Sequence, residues 1–318
     1  MVKTREDIEL IVERIVAAVT VIGPFLVVIG SIFAFWNRGV DWLDLILCFS
    51  LVLLTGIGIT VGYHRLFTHR SFKCVLPLKL TLGILGCMAS QGAIYWWAAF
   101  HRHHHQCSDE KGDPHSPYAF GSGIWARLRG IWHAHVGWIL GFVPQNHRLL
   151  VPDLLNDPVV AWIDRWYFLW VLLGLLLPAL ITWAITPTWS GFLHGLIWGG
   201  IIRMFLAHHI TWSVNSLCHL FGTSPFPTGD HSRNNLICVV FSLGEGWHNN
   251  HHAFPSSSRH GLFWYQFDSS YALLIVFRFF GLAWDLIEPS DEQIQSALQR
   301  KSGKLVLQQH NTEAAFKV

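Results

Sequence analysis

Four stretches of about twenty apolar residues, near 15–36, 43–62, 166–186 and 192–212, hold scarcely a charge among them. A bilayer core ~30 Å thick takes about 20 helical residues to cross, and no water inside it can satisfy a stray backbone group. Each stretch is therefore read as a transmembrane helix. Only 13% of the 318 residues are charged, against ~25% in an ordinary soluble domain. The net charge of +2, with no basic patch interleaved with aromatics, gives no reason to expect nucleic acid.

The linkers set the orientation. Residues 37–42 and 187–191 are short and weakly charged, while Lys3, Arg5, Arg14, Arg65, Arg70, Lys73, Lys79, Arg127, Arg129, Arg148 and Arg165 lie elsewhere. By the positive-inside tendency, both termini and the 63–165 segment face the cytoplasm. The expected architecture is an all-α integral membrane protein of four transmembrane helices in two hairpins, with a cytosolic helical cap. It is read as a single domain over 1–318, with the cap drawn from 63–165 and 213–287 and a charged tail at 288–318. A fifth apolar segment, 78–100, is read as non-spanning because a crossing there would strand one histidine cluster from the others. Its Gln91 and Tyr95-Trp-Trp97 suit an interfacial or cap helix. The first span follows no small-residue cleavage site and is read as uncleaved. Six cysteines without a Cys-x-x-Cys pair make a disulfide framework or zinc ribbon unlikely on spacing alone.

Beside these apolar runs lie three histidine clusters: His64-Arg-Leu-Phe-Thr-His69, His101-Arg-His-His-His105 and His248-Asn-Asn-His-His252. Imidazole is the commonest protein ligand for transition metals. Eight rings, with His103 set aside, exceed the needs of one ion, which predicts two metals. Residues three and four apart share a helix face, so His101, His104 and His105 should project together, as should His248, His251 and His252. His64 and His69 are five apart, about 140° out of phase on a regular helix, and need a break or a loosened turn to converge. Asn215 and His219 share a face at the end of the fourth span, adding a ninth imidazole and an amide able to hold a metal-bound water. Nitrogen ligation without cysteine fits iron, copper or zinc better than magnesium or calcium. Asp109, Asp113 and Glu245 are candidates to orient the rings from behind. His103, His133, His147, His194, His208, His209, His231, His260 and His310 are read as ordinary polar residues, with His115 and His135 set apart by the motifs they adjoin.

These motifs resemble the membrane fatty acyl desaturases, Δ9 (stearoyl-type) group, in a bacterial or cyanobacterial-like branch. The resemblance runs from the second span to about residue 285. It rests on Gly62-Tyr-His-Arg-Leu-Phe-Thr-His69, the two His-x-x-His-His boxes, Asp113-Pro-His115, His135-Val-Gly-Trp138, Trp212-Ser-Val-Asn-Ser-Leu-Cys-His219 and Gly244-Glu-Gly-Trp247 before the last box. It implies a mushroom-shaped four-span fold in a bacterial inner membrane or its equivalent, whose cap holds two iron ions. The ligands would be His64, His69, His101, His104, His105, His219, His248, His251 and His252, with Asn215 acting through water. It further implies O2 as co-substrate, an external electron donor (ferredoxin or cytochrome b5), and a cis double bond set at carbons 9 and 10 of an acyl chain in a kinked tunnel. Three positions depart from the animal acyl-CoA members: Ala99 and Phe100 stand where those carry Arg-Asp, and Gln106 stands for a lysine. The head group is thus open between a CoA ester and a glycerolipid, with Arg127, Arg129 and Arg148 able to face a phosphate or anionic lipid. Two other readings stay in view: a histidine-box hydroxylase or monooxygenase on a lipid or alkane, and a metal transporter or sensor. Arg203, inside the fourth span, has no assigned role at this stage.

Overall fold

The computed structural model describes residues 5–35, 39–141 and 147–300. Four helices in it are long and apolar enough to cross a membrane: Arg14–Phe33, Trp42–Thr68, Tyr167–Ile185 and Trp189–Leu217. The first lies within α1 (Arg5–Phe35). The second and fourth, at 27 and 29 residues, outrun the about 20 residues that a bilayer core takes. Their carboxy-terminal ends carry on past it, into the cap.

The second span starts as α2 (Trp42–Ile57) and then widens into π-winding over Gly58–Thr68. In that winding each N–H reaches back five residues, as from His69 N–H to His64 O at 3.0 Å. Glycines permit the close approach that accompanies it. A Cβ at Gly58 would lie 2.3 Å from the backbone nitrogen of Gly86, and one at Gly62 would lie 2.9 Å from the Leu82 carbonyl oxygen. Both neighbours belong to α3 (Leu76–Met88). The fourth span is also π-wound, over Gly195–Ile202, where Gly195 and Gly199 press on Pro178 of the third. Small residues of this kind let helix backbones meet without a hydrophobic drive between them.

The apolar 78–100 segment does not cross. It is broken into α3, 13 residues long and so only about 20 Å, and α4 (Ile94–Gln106). Between them Ser90 and Gly92 take φ of 59° and 101°, left-handed backbone that no helix continues through. Arg203 acts at this break. Its guanidinium is fully buried and donates to three carbonyls: Gly199 at 3.1 Å, Met88 at 2.7 Å and Gly174 at 2.7 Å. His208 Nε2 adds a bond to Ala89 O at 2.9 Å. The fourth span thus caps the end of α3 with a cation where the helix dipole is negative, and ties it to the third span.

The cap core joins the π-wound turn and α4 to the helix Pro158–Arg165 through Tyr63, Phe67, Ile94, Ala99, Val160 and Ile163. A two-strand antiparallel ladder pairs Lys73 with Trp284 and Cys74 with Ala283, closing the start of the cap on its end. Residues 291–300 are helical. The rest of the expected tail, with His310, lies outside the described residues.

Replacing Arg203 with leucine leaves the Met88 and Gly174 carbonyls without their buried donor. The expected loss is about 1–3 kcal/mol, seen as a lower midpoint of thermal unfolding in detergent while membrane insertion is retained.

Candidate metal centre

The π-turn, α4, the end of the fourth span and the short helix His248–Ala253 bring all nine predicted histidines into two groups. One holds His64, His69, His101, His105 and His251; the other holds His104, His219, His248 and His252, with ligand atoms in each group within 4.8 Å of one another. Each His-x-x-His-His box is therefore divided, where helical phase had suggested that a trio would serve one volume. The physical reason is angular. Residues i and i+4 differ by about 40°, whereas i+3 and i+4 differ by about 100°, so they address separate volumes. Box two sends His101 and His105 to the first group and His104 to the second. Box three does the reverse, sending His248 and His252 to the second and His251 to the first. The π-turn resolves the remaining phase problem: i→i+5 winding sets His64 and His69 on one side.

The nitrogens are spaced as around a shared ion. In the first group Nε2 atoms close a circuit, His64 to His101 at 2.9 Å, His101 to His105 at 3.0 Å, His105 to His251 at 2.9 Å and His251 to His64 at 3.1 Å. His69 Nε2 lies 3.0 Å from His101 Nε2. A square of that side has its centre about 2.1 Å from each corner, a metal–imidazole bond length. In the second group His248 Nε2 is 3.0 Å from that of His219 and 3.1 Å from that of His252, while the buried Nε2 of His104 has no hydrogen-bond partner.

Carboxylates decide the tautomers. The Nδ1 atoms of His104, His219 and His252 face Asp113 at 3.0 Å, Asp109 at 2.7 Å and Asp230 at 2.7 Å. Each ring donates its Nδ1 proton there, which turns an Nε2 lone pair inward. Such lone pairs cannot hydrogen-bond to one another, so a cation is the partner this donor set fits. Burial, followed by the charges of neighbouring imidazoles, pushes His69, His101, His105, His248 and His251 well below the usual histidine range. They are neutral, as ligands must be. Burial lowers His219 too, but its bond to Asp109 outweighs this and its pKa is raised. Burial would raise Asp109 and Asp230, yet the bonds from His219 and His252 hold both below the carboxylate range.

On the other side Glu245 Oε2 sits 2.5 Å from His64 Nδ1, and not on His248, one turn away in sequence. Its second oxygen takes a bond from the fully buried Arg65, which also donates to Asp268 at 3.2 Å, His260 Nδ1 at 3.0 Å and Ser258 O at 3.0 Å. Burial would raise the Glu245 carboxyl, but Arg65, then His64 and His260, hold it well below its usual range.

Sequence reading missed Asp230 and His260. Asp230 lies in a polar loop where a carboxylate ordinarily caps a turn, and it does accept from Ser232 N at 2.9 Å. His260 was read as ordinary, yet its ring centroid is 4.6 Å from that of His251, and its Nε2 is buried without a partner. The two intermediate histidines diverge. His115 packs 4.2 Å from the His104 ring and is pushed down by burial to about 4. His135 bonds to Ser216 and His209 at 3.0 and 2.9 Å, outside both groups.

Two cavities, about 460 and 150 Å³, share Gln91, Trp97, His101, Thr211 and Asn215. The larger is lined also by Arg14, Tyr95, Arg148, Asp164 and Arg165. The smaller passes His64 and His248 and continues among Phe49, Val52 and Leu53 of the second span. Where they meet, Gln91 Nε2 donates to Thr211 Oγ1 at 2.9 Å and to Ala207 O at 3.3 Å. Gln91 is thus a wall residue shared by two mostly apolar cavities that between them touch both histidine groups.

A model of the fatty acid desaturase family matches residues 41–274. The chain is 41% identical over 275 residues to a protein of Moorena producens (strain JHB) named hex-5-enoyl-[acyl-carrier protein] acetylenase, covering 86% of each. It is 36% identical over 259 residues to the sn-1 stearoyl-lipid 9-desaturase of Anabaena variabilis, covering 80% of this chain and 88% of that one. A probable acyl-CoA desaturase of Schizosaccharomyces pombe is 34% identical over 301 residues, 85% of this chain and 60% of its own length.

In a His251→Ala variant the first group loses one corner of its circuit. Bound metal, measured by mass spectrometry on the purified protein, is expected to fall while the protein stays membrane-inserted. Unchanged metal content would remove His251 from the centre.

Proposed function

Because the chain belongs to the fatty acid desaturase family, we propose that it is an O2-dependent acyl desaturase placing a cis double bond at the Δ9 position of a saturated chain. The nine histidines are its metal ligands, divided five and four between two irons, with Asn215 acting through water. The irons, when bound, would activate O2, the oxidant needed to take hydrogen from an unactivated methylene. Such a methylene offers no handle to an acid or base, so the protein's part is to hold and to place. The observation that supports this reading is that the two cavities meet at Gln91 and Thr211, alongside His101 and Asn215, where we place the bend of an acyl chain.

An acyl chain threaded there is held by Trp97 and the Gln91–Thr211 bond with one short segment beside the histidines. Regiochemistry then follows from where the bend falls along the chain. The apolar walls keep water from the reacting segment. The buried carboxylates fix each ring that they face, so the nitrogens need not reorganise during the reaction.

The head group is recognised in the larger cavity, at its basic side. Arg14, Arg148 and Arg165 stand there, whereas Arg129 lies over the Phe120 ring, 4.3 Å from its centroid. Three cations fit a phosphate, which CoA, a carrier protein's phosphopantetheine and a phospholipid all bear. Ala99 and Phe100 are buried and offer no charge at the positions where animal acyl-CoA members carry Arg-Asp. The histidine cap faces the cytoplasm, where ferredoxin or cytochrome b5 delivers electrons. The relative named an acetylenase supports a second reading, in which the same centre dehydrogenates an enoyl chain to an alkyne.

Expressed with a suitable electron donor in a host lacking monounsaturates, the protein is expected to yield a 9-alkene from stearoyl or palmitoyl chains by gas chromatography–mass spectrometry. Alkyne from enoyl chains alone would favour the second reading, and hydroxylated products without alkene would overturn both. Gln91→Leu, which removes both bonds at the bend, is expected to scatter the double bond over neighbouring carbons.

A further inference from the structure

The two histidine groups are electrostatically unlike. Around the four-histidine group, Asp109, Asp113 and Asp230 each face a different ring. Their other partners are neutral. Asp109 accepts from Ser116 Oγ and His231 N, Asp113 from the backbone of Asp109 and His115, and Asp230 from Thr228 and Ser232. The His115 ring lies 3.8 Å from Asp113. Among the described residues no lysine or arginine bonds to any of these three aspartates.

The five-histidine group has one carboxylate on its rings, Glu245, and Arg65 shares it. Asp268 touches that guanidinium and no ring of the group. The Nδ1 of His251 is buried with no partner at all.

A divalent ion taken out of water needs counter-charge as well as donor atoms. Beside the four histidines it would meet three carboxylates with no competing cation, each also raising the basicity of the ring it holds. Beside the five it would meet a single carboxylate already half-claimed by arginine. The fifth imidazole adds a donor but no charge, and inside a low-dielectric cap charge is the larger effect.

Resting on the reading of these nine histidines as a two-metal centre, we propose that the two positions fill in order. A divalent metal occupies the His104, His219, His248 and His252 position first, and keeps it after the His64, His69, His101, His105 and His251 position has lost its own. Asp109, Asp113 and Asp230 are the positioning residues that create the difference.

The test is a Co2+ titration of chelator-stripped full-length protein, followed by visible absorption, with anomalous diffraction at one equivalent. Two steps separated by about tenfold or more in affinity are expected, with the anomalous peak at the four-histidine position. Asp230→Asn should weaken the first step about 10–100-fold and leave the second in place. Equal occupancy at one equivalent, or filling of the five-histidine position first, would overturn the order. So would equal weakening of both steps by Asp230→Asn. The unmutated protein decides the question even where that variant fails to fold. Two equivalents bound with equal affinity sink the order and leave the desaturase reading intact, whereas no cobalt at either group sinks both.

Discussion

Imidazole nitrogens held about 3 Å apart with their lone pairs facing inward repel one another unless a cation lies between them. The cap is arranged around that repulsion. Carboxylates behind His64, His104, His219 and His252 fix the tautomers of those rings, and burial keeps most of the rings neutral. The two His-x-x-His-His helices are interlocked, because each gives a pair to one group and a single ring to the other. Neither position can be distorted without disturbing its neighbour. Metal binding in such a site is also folding energy, since an unfolded chain holds no such arrangement.

The bilayer supplies the frame. Two spans overrun it and carry box one, Asn215 and His219 into the cap, while the break between α3 and α4 keeps that segment from crossing. Arg203 makes the break tolerable by meeting carbonyls that would otherwise end in apolar surroundings. A cation inside a span ordinarily signals an ion path or a substrate counter-charge; this one is bonded to backbone from three helices.

Much of the frame, and the convergence of the nine histidines, was legible in the chain. Uninterrupted apolar runs mark spans because the bilayer demands them, and repeated histidine spacing marks a metal site because helical phase makes it cohere. What escaped was set by tertiary contact. The π-winding at Gly58–Thr68 has no periodicity of its own; it follows from α3 lying against Gly58 and Gly62. Helical phase was applied to the boxes too coarsely, treating i+3 and i+4 as one direction when the two metal-sized volumes lie on either side. Asp230 and His260 stand in loops, where a carboxylate or an imidazole carries no pattern, and Gln91 matters only through the fourth span.

The interlocked boxes have a consequence for how the protein is made. His64 and His251, nitrogen to nitrogen in the finished site, are 187 positions apart, and the ladder that shuts the cap waits for Ala283 and Trp284. At roughly 5–20 residues per second of synthesis, the first box stands incomplete for roughly 10–40 s after it emerges. Two spans are already in the bilayer during that interval, and no full set of nitrogens exists. A complete set of nitrogens for either group therefore exists only after translation of nearly the whole chain, and a metal ion that is to meet such a set must be on hand at that late moment.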